Sequence, residues 1–285
     1  MPRPRIALRL CARGRSEYEG PPTGIAQRGK RRSKAQKPVE IASWLGMAAT
    51  SFLAAVLLTT NGFGFAVLAA PLFLLFAPPA QAIQVVVILA LAISLWVLPS
   101  LRRGVQWPLL LRLVIGSLVG LPFGLVAFAH AEPATVRAVA GVVITAFAAA
   151  QAHNHYHQRP PSLVMHPIGD LVAGAAAGAA TGLIGMPGPP VVIYFIMVGA
   201  PPQLSRSTQI AFFALIFAVT LAANMAFRGV PGADWAIAAS LMPVTALGAW
   251  LGTGIGRRLD NSRSMALALT VLGIAGLYTF AAALW

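Results

Sequence analysis

Charged residues are scarce in this chain. They make up 10% of its 285 residues and hydrophobic residues make up 58%, whereas soluble domains carry about 25% charged residues. Only seven residues are acidic, and the four that follow residue 40 lie near the ends of apolar segments: Glu132, Asp170, Asp234 and Asp260. Together with a mean hydropathy of +0.76, this predicts a polytopic membrane protein without a mid-span carboxylate relay.

Cysteine is almost absent as well. The single Cys11 excludes an intrachain disulfide framework. Four histidines crowd a polar linker without a cysteine or acidic neighbour, so an interfacial loop is favoured over a metal site: His153, His155, His157 and His166. No nucleophile elbow, phosphate loop or pair of carboxylates is recognisable. The sequence therefore predicts neither an enzyme nor a cofactor.

Basic residues are concentrated at the start of the chain. Residues 1–40 hold 11 of the 21 lysines and arginines, which gives the chain a pI near 11.6. Because this excess precedes a membrane segment, a nucleic-acid partner is not expected. Two interpretations stay open, a disordered extension and a tail that binds anionic lipid headgroups.

The most informative stretch is an interruption at residues 185–190, called here the second break. Gly185, Pro187, Gly188, Pro189 and Pro190 crowd into it, and glycine and proline both oppose a continuous helix. An apolar half-helix of about 11 residues, or about 16 Å, is expected to follow over Pro189 to Gly199. Irregular backbone at membrane depth must be buried or line a cavity, as in the substrate sites of transporters.

The chain resembles itself at an offset of 123 residues. Gly46 then falls on Gly169, Gly62 on Gly185, and Pro78 with Pro79 on Pro201 with Pro202. The interruption around Asn61 and Gly62 is called here the first break. We interpret the series as an internal duplication.

The predicted organisation is an all-α membrane protein of two homologous halves, each with a broken short-helix pair and three long helices. A basic tail occupies residues 1–40, repeat 1 residues 41–152, a polar linker 153–167 and repeat 2 residues 168–285. Ten crossings would make the halves inverted and eight would make them parallel; the inverted arrangement is favoured. Three glycine triplets spaced by four are expected to pack helices inside each half: Gly116, Gly120, Gly124; Gly174, Gly178, Gly182; Gly248, Gly252, Gly256.

Two segments carry a family resemblance. NGFGFAVLAAPLFLLFAPP and GLIGMPGPPVVIYFIMVGAPP resemble the paired signature segments of the sulfite exporter TauE/SafE family, although the first replaces a glycine-rich run with Asn61, Gly62, Phe63, Gly64 and Phe65. The resemblance covers about Ile41 to Trp285. It implies a transporter of the cytoplasmic membrane that exports sulfite or organosulfonates.

An anion site is predicted at the second break. Free amides at the start of the half-helix and the polar first turns of the next helix would supply donors. Arg206 is the leading candidate, with an interfacial arginine as its alternative. The other candidates in this half are Gly185, Gly188, Pro189, Pro190, Tyr194, Ser205, Ser207 and Gln209.

The first half offers fewer polar candidates. They are Asn61 and Gly62 in the first break and Gln84 on the helix that follows. Tyr194 is expected either to contact the anion or to bond a neighbouring helix. Asp170 is the best candidate for proton coupling, with a helix-dipole role as the alternative.

The favoured function is therefore secondary transport of a small anion in the inner membrane, with the lipid bilayer as surroundings. A passive channel would use the same two breaks. A non-transporting scaffold would instead recruit a membrane partner through its glycine faces.

Overall fold

The chain is described from a computed structural model that covers residues 41–157, 165–227, 229–256, 270 and 272–276. The predicted tail, the middle of the polar linker and most of the last predicted segment, Ser262 to Leu284, lie outside these residues. Within them the regular elements are helices: α1 Ile41–Asn61, α2 Phe65–Phe76, α3 Pro79–Leu101, a 3₁₀ turn Arg102–Gly104, α4 Trp107–His130, α5 Pro133–His157, α6 Pro167–Ile184, α7 Gly188–Met197, α8 Pro202–Phe227 and α9 Gly232–Gly256.

Seven of the described helices are long and apolar enough to cross a membrane, and α2 and α7 are the two short ones. This confirms the predicted all-helical membrane fold. Helix α5 continues to His157, five residues into the stretch predicted as linker. Leucine, phenylalanine and tryptophan side chains on the long helices are exposed, as expected for surfaces that face lipid tails.

Both predicted breaks are present. The first separates α1 from α2, and Gly62 and Gly64 there have φ of 84° and 119°. The second separates α6 from α7, and Gly185 there has φ of 71°. These left-handed conformations suit glycine because it lacks a Cβ, which explains why the helices stop at these residues.

The glycine triplets pack helices face to face. A Cβ on Gly120 would collide with the carbonyl of Ala175, and one on Gly178 with the carbonyl of Ser117. Helices α4 and α6 therefore meet backbone to backbone, and they run parallel, since Gly116 lies on Leu171 while Gly120 lies further along on Ala175.

The triplet on α9 makes a second parallel pair. Gly248 lies on the backbone of Phe52 and Gly252 on that of Val56, both in α1. These seams join α4 to α6 and α9 to α1, helices from different predicted halves. The expectation that the triplets pack helices inside each half is wrong, because glycine spacing specifies a close-packed face but not the helix that covers it.

Helices α3 and α8 lie side by side and run antiparallel. Near the start of α3, the side chain of Gln84 accepts a 2.8 Å hydrogen bond from Asn224 near the end of α8. Just beyond the other end of α3, the amide of Gln106 donates to the hydroxyl of Thr208, in the second turn of α8, at 3.3 Å. Side chains from the middle of both helices line the site described below.

Candidate functional site

A narrow cavity, with room for about one water molecule in this conformation, lies where the two breaks approach each other. Gly64 to Val67, at the start of α2, line one side, and Pro187 and Gly188, at the start of α7, line another. The middle of α3 contributes Ala90 and Ser94, and the middle of α8 contributes Phe213 and Phe217; Leu58 of α1 completes the lining. The two short helices thus begin at the same buried space.

Eight of the eleven lining residues form four pairs separated by 123 positions, the offset at which the sequence resembles itself. The pairs around the cavity are Gly64 with Pro187, Phe65 with Gly188, Ala90 with Phe213 and Ser94 with Phe217. One member of each pair comes from the first half of the chain and one from the second. The cavity is therefore bounded by corresponding positions of both halves.

Most of the lining is apolar, and Ser94 is its polar side chain. Ser94 is 1% exposed, and its hydroxyl has no hydrogen-bond partner among the described residues. A buried hydroxyl without a partner costs free energy, about 1–3 kcal/mol, unless something occupies the space beside it. Nothing in the sequence distinguished Ser94 from other serines on apolar helices, so it was missed.

The start of α2 supplies backbone donors to the same cavity. The first amides of a helix have no acceptor inside the helix, and here they belong to Phe65, Ala66 and Val67, all in the lining. The amide of Leu68 is already bonded to the carbonyl of Gly64 at 2.9 Å. Three amides without an acceptor inside their own helix, at the positive end of its dipole, therefore belong to residues that line the cavity.

The start of α7 supplies fewer backbone N–H donors than predicted from the sequence. Helix α7 begins Gly188, Pro189, Pro190, Val191, and proline has no N–H. Two of its first four positions therefore lack a donor. Of the three α7 positions that correspond to Phe65, Ala66 and Val67 of α2, only Gly188 has an N–H, so the first break is the richer in backbone donors.

Arg206 lies at the first break, not the second. Its guanidinium Nη2 donates to the carbonyl of Thr59 at the end of α1, and its side-chain stem crosses Gly62, where an added Cβ would meet Arg206 Cγ at 2.5 Å. The residue that packs on Gly185 is Ile83, whose Cγ2 would be 3.1 Å from an added Cβ. Sequence neighbours therefore do not share a break; each break is covered by the helix from the other half.

Three polar side chains near the first break have buried atoms without partners among the described residues. They are Nε of Arg206, Oδ1 of Asn61 and Oε1 of Gln209. Asn61 adjoins Gly62, and Gln209 lies one turn after Arg206 on the same face of α8. Phe213, which lines the cavity, lies seven residues after Arg206 on the same face of α8. At 1.5 Å per residue this is about 10 Å along the helix. This group is polar and incompletely bonded.

The remaining predicted site residues have other partners. Gln84 is bonded to Asn224, Ser205 lies 3.4 Å from the carbonyl of Ala200, and Ser207 packs on Gly104 beyond the end of α3. Pro189 is buried at the start of α7 and Pro190 is half-buried.

Tyr194 donates a 2.5 Å hydrogen bond to Oδ1 of Asp170. Of the two roles expected for this tyrosine, the structure thus shows the hydrogen bond to a neighbouring helix. The other carboxylate oxygen of Asp170 pairs with Arg112 of α4 at 3.1 Å. The sequence did not suggest Arg112 as its partner.

The comparisons with known proteins agree with this architecture. A family model described as "Sulfite exporter TauE/SafE" matches residues 47–279. Neither a curated protein nor a solved structure matches the chain. The family match spans α1 to α9, both breaks and the cavity between them, and so the chain is a membrane protein of the sulfite exporter TauE/SafE transporter family.

Proposed function

We propose that the chain is a secondary transporter that exports small sulfur-containing or organic anions, such as sulfite and organosulfonates, across the cytoplasmic membrane. The observation that carries the proposal is the cavity between the two breaks, midway along α3 and α8. Transporters place substrates at discontinuous helices near the bilayer midplane. The family description supports sulfite as the substrate to test first.

The chemistry of the cavity favours an anion. Three free amides at the start of α2 and the hydroxyl of Ser94 are donors, and none of the described lining residues is acidic. Oxygen atoms of a sulfite or sulfonate group accept several hydrogen bonds at once, as anions at helix N-termini do. In this proposal Arg206 supplies positive charge beside the first break, and its unbonded Nε is available to the anion on its way in or out.

Internal duplication is part of the proposal. The paired cavity positions support it. The residues that pack on the two breaks support it as well: Arg206 packs on Gly62 and Ile83 packs on Gly185. Arg206 follows Ile83, and Gly185 follows Gly62, by the same 123 positions. Corresponding helices α3 and α8 are antiparallel, which favours inverted repeats over parallel ones. Inverted repeats provide alternating access, since each half can open the site to the opposite side.

The end of the molecule that holds Arg206 is proposed to face the cytoplasm. Arg102 and Arg103 follow α3, at the end where α8 begins. Short loops with excess arginine face the cytoplasm in multi-pass membrane proteins. The anion would then meet Arg206 first, before it reaches the cavity.

Flux in proteoliposomes tests the proposal. We expect saturable uptake of radiolabelled sulfite and methanesulfonate, and counterflow, in which unlabelled anion on one side drives labelled anion in from the other. Uptake that does not saturate and shows no counterflow would identify a channel. Absence of flux from folded, reconstituted protein would contradict transport of these anions and favour a scaffold.

A further inference from the structure

The side chain of Asp170 is the most deeply buried acidic group that the structure describes. Its residue is 1% exposed, although it lies in the first turn of α6. Its counter-charge, by contrast, is accessible: the side chain of Arg112 is 42% exposed. The two members of this ion pair therefore meet different surroundings if they separate. Arg112 lies within two turns of the start of α4, where its long side chain can extend to the membrane–water interface, whereas Asp170 stays buried.

A buried carboxylate that loses its cation has one inexpensive way to remain buried, which is to take up a proton. Tyr194 suits both states. Its hydroxyl now donates to Asp170 at 2.5 Å, and a hydroxyl can also accept a hydrogen bond from a protonated carboxyl group. The proton on Asp170 would thus be hydrogen-bonded without a further polar group.

The three residues tie together the parts that a transport cycle must move. Arg112 is on α4, Asp170 on α6 and Tyr194 on α7, the half-helix that begins at the cavity. Helices α4 and α6 are held together by their glycine seam, so the side chain of Tyr194 is the polar link from this rigid pair to α7. The hydrogen bond that connects α7, one wall of the cavity, to this pair therefore changes when Asp170 exchanges Arg112 for a proton.

We propose that Asp170 is the binding site for a coupling proton: it exchanges Arg112 for a proton taken from water as α7 moves, and releases that proton when the ion pair forms again. The inference rests on the proposed transport function and adds its energy source. Arg112 stays charged throughout, and one proton is bound and released in each cycle.

The surroundings of Asp170 are consistent with this exchange. The charged and titratable groups that face it are Arg112 from α4, Tyr194 from α7 and, at the N-cap of its own helix, His166, whose ring accepts from the amide of Ile168. Helices α5 and α8 also pack on α6.

The test separates exchange from proton-driven flux in proteoliposomes that contain the full chain. Labelled methanesulfonate is the probe, because it stays ionised and carries no proton itself. In Asp170→Asn we expect uptake driven by a pH gradient to fall about tenfold or more, while exchange at equal pH stays within about twofold of the unchanged protein. The matched control is Asp234→Asn, which removes another buried aspartate, at the start of α9, and is expected to keep the response to the gradient.

Two results would overturn the proposal: a gradient response retained in Asp170→Asn, or equal loss of exchange and gradient-driven uptake in folded Asp170→Asn. Infrared spectroscopy gives a readout that needs no transport. Acidification should produce a carboxylic-acid C=O band that Asp170→Asn lacks, and Arg112→Gln should show this band already at neutral pH. If the unchanged protein moves no anion, the proposed transport function fails, and the infrared band then tests the proton site by itself. A band that Asp170→Asn leaves unaltered would refute the proton site at Asp170.

Discussion

Replacing Gly188 with leucine is expected to reduce anion flux to the level of empty liposomes while folded protein remains in the membrane. Gly188 is buried in the cavity lining at the start of α7. A Cβ there would lie 3.0 Å from Cγ2 of Val67 and 3.8 Å from the ring of Phe213. The three further carbons of leucine would then occupy the space that the anion needs and join α7 to α2.

The same substitution at Gly254 is the matched control. Gly254 is on α9, it is exposed, and an added Cβ meets nothing within 4 Å. Gly254→Leu should therefore transport at the normal rate, since its side chain would point into lipid. Flux of labelled sulfite, normalised to the reconstituted monodisperse protein, is the measurement. Normal flux in Gly188→Leu would show that the space between the breaks is only a packing defect.

Replacing Arg206 with alanine is the second large effect that we expect. The guanidinium has one donor on the carbonyl of Thr59 and an unpartnered buried Nε among the described residues. Hydrogen bonds to charged groups are worth about 1.5–3 kcal/mol, so losing one to the anion would weaken its apparent affinity by about 10- to 100-fold. The concentration dependence of sulfite flux would show this as a raised half-saturation concentration.

Arg137 provides the control for the structural part of this change. Its Nε donates to the carbonyl of Leu74 near the end of α2 at 3.0 Å, so it also bonds a backbone carbonyl of another helix. Arg137→Ala should cost stability without the same loss of affinity, and Arg206→Lys should recover part of the affinity because it keeps the charge. Equal losses of affinity in Arg206→Ala and Arg137→Ala would make Arg206 a structural residue.

The sequence was sufficient to predict the helical membrane fold and both breaks, because these follow from composition and from the local preferences of glycine and proline. Helix α7 begins one residue before its predicted start and ends at Met197 instead of Gly199. Such features depend on residues close together in the chain, and a single sequence contains that information.

The partners of the helices could not be predicted in the same way. The seam between α4 and α6, and the contact of Arg206 with Gly62, join residues from opposite halves of the chain. The sequence predicted Arg206 beside the second break because only the short helix α7 and the turn after it separate the two along the chain. Helix pairing in a membrane protein is a long-range property, and small-residue faces leave it undetermined.

The backbone donors at the two breaks were only partly predictable from the sequence. Pro189 and Pro190 favour a helix start, but neither has an N–H that could serve as a donor there. The structure shows that the start of α2, which has no proline in its first turn, is the one with three consecutive amides at the cavity. Ser94 could not be identified from the sequence, because only the packing of α3 against α2 and α8 shows that its hydroxyl is enclosed.

The central claim is that the anion occupies the cavity between the two breaks, and protection of a single cysteine tests it most directly. Cys11 is the chain's only cysteine, so Cys11→Ser gives a background on which Ser94→Cys, or Ser100→Cys at the exposed end of the same helix, can be labelled with a thiol reagent. We predict that methanesulfonate slows labelling at Ser94→Cys in a saturable way and leaves labelling at Ser100→Cys unchanged. No labelling at Ser94→Cys under any transport condition, or labelling that the anion does not slow, would contradict the account.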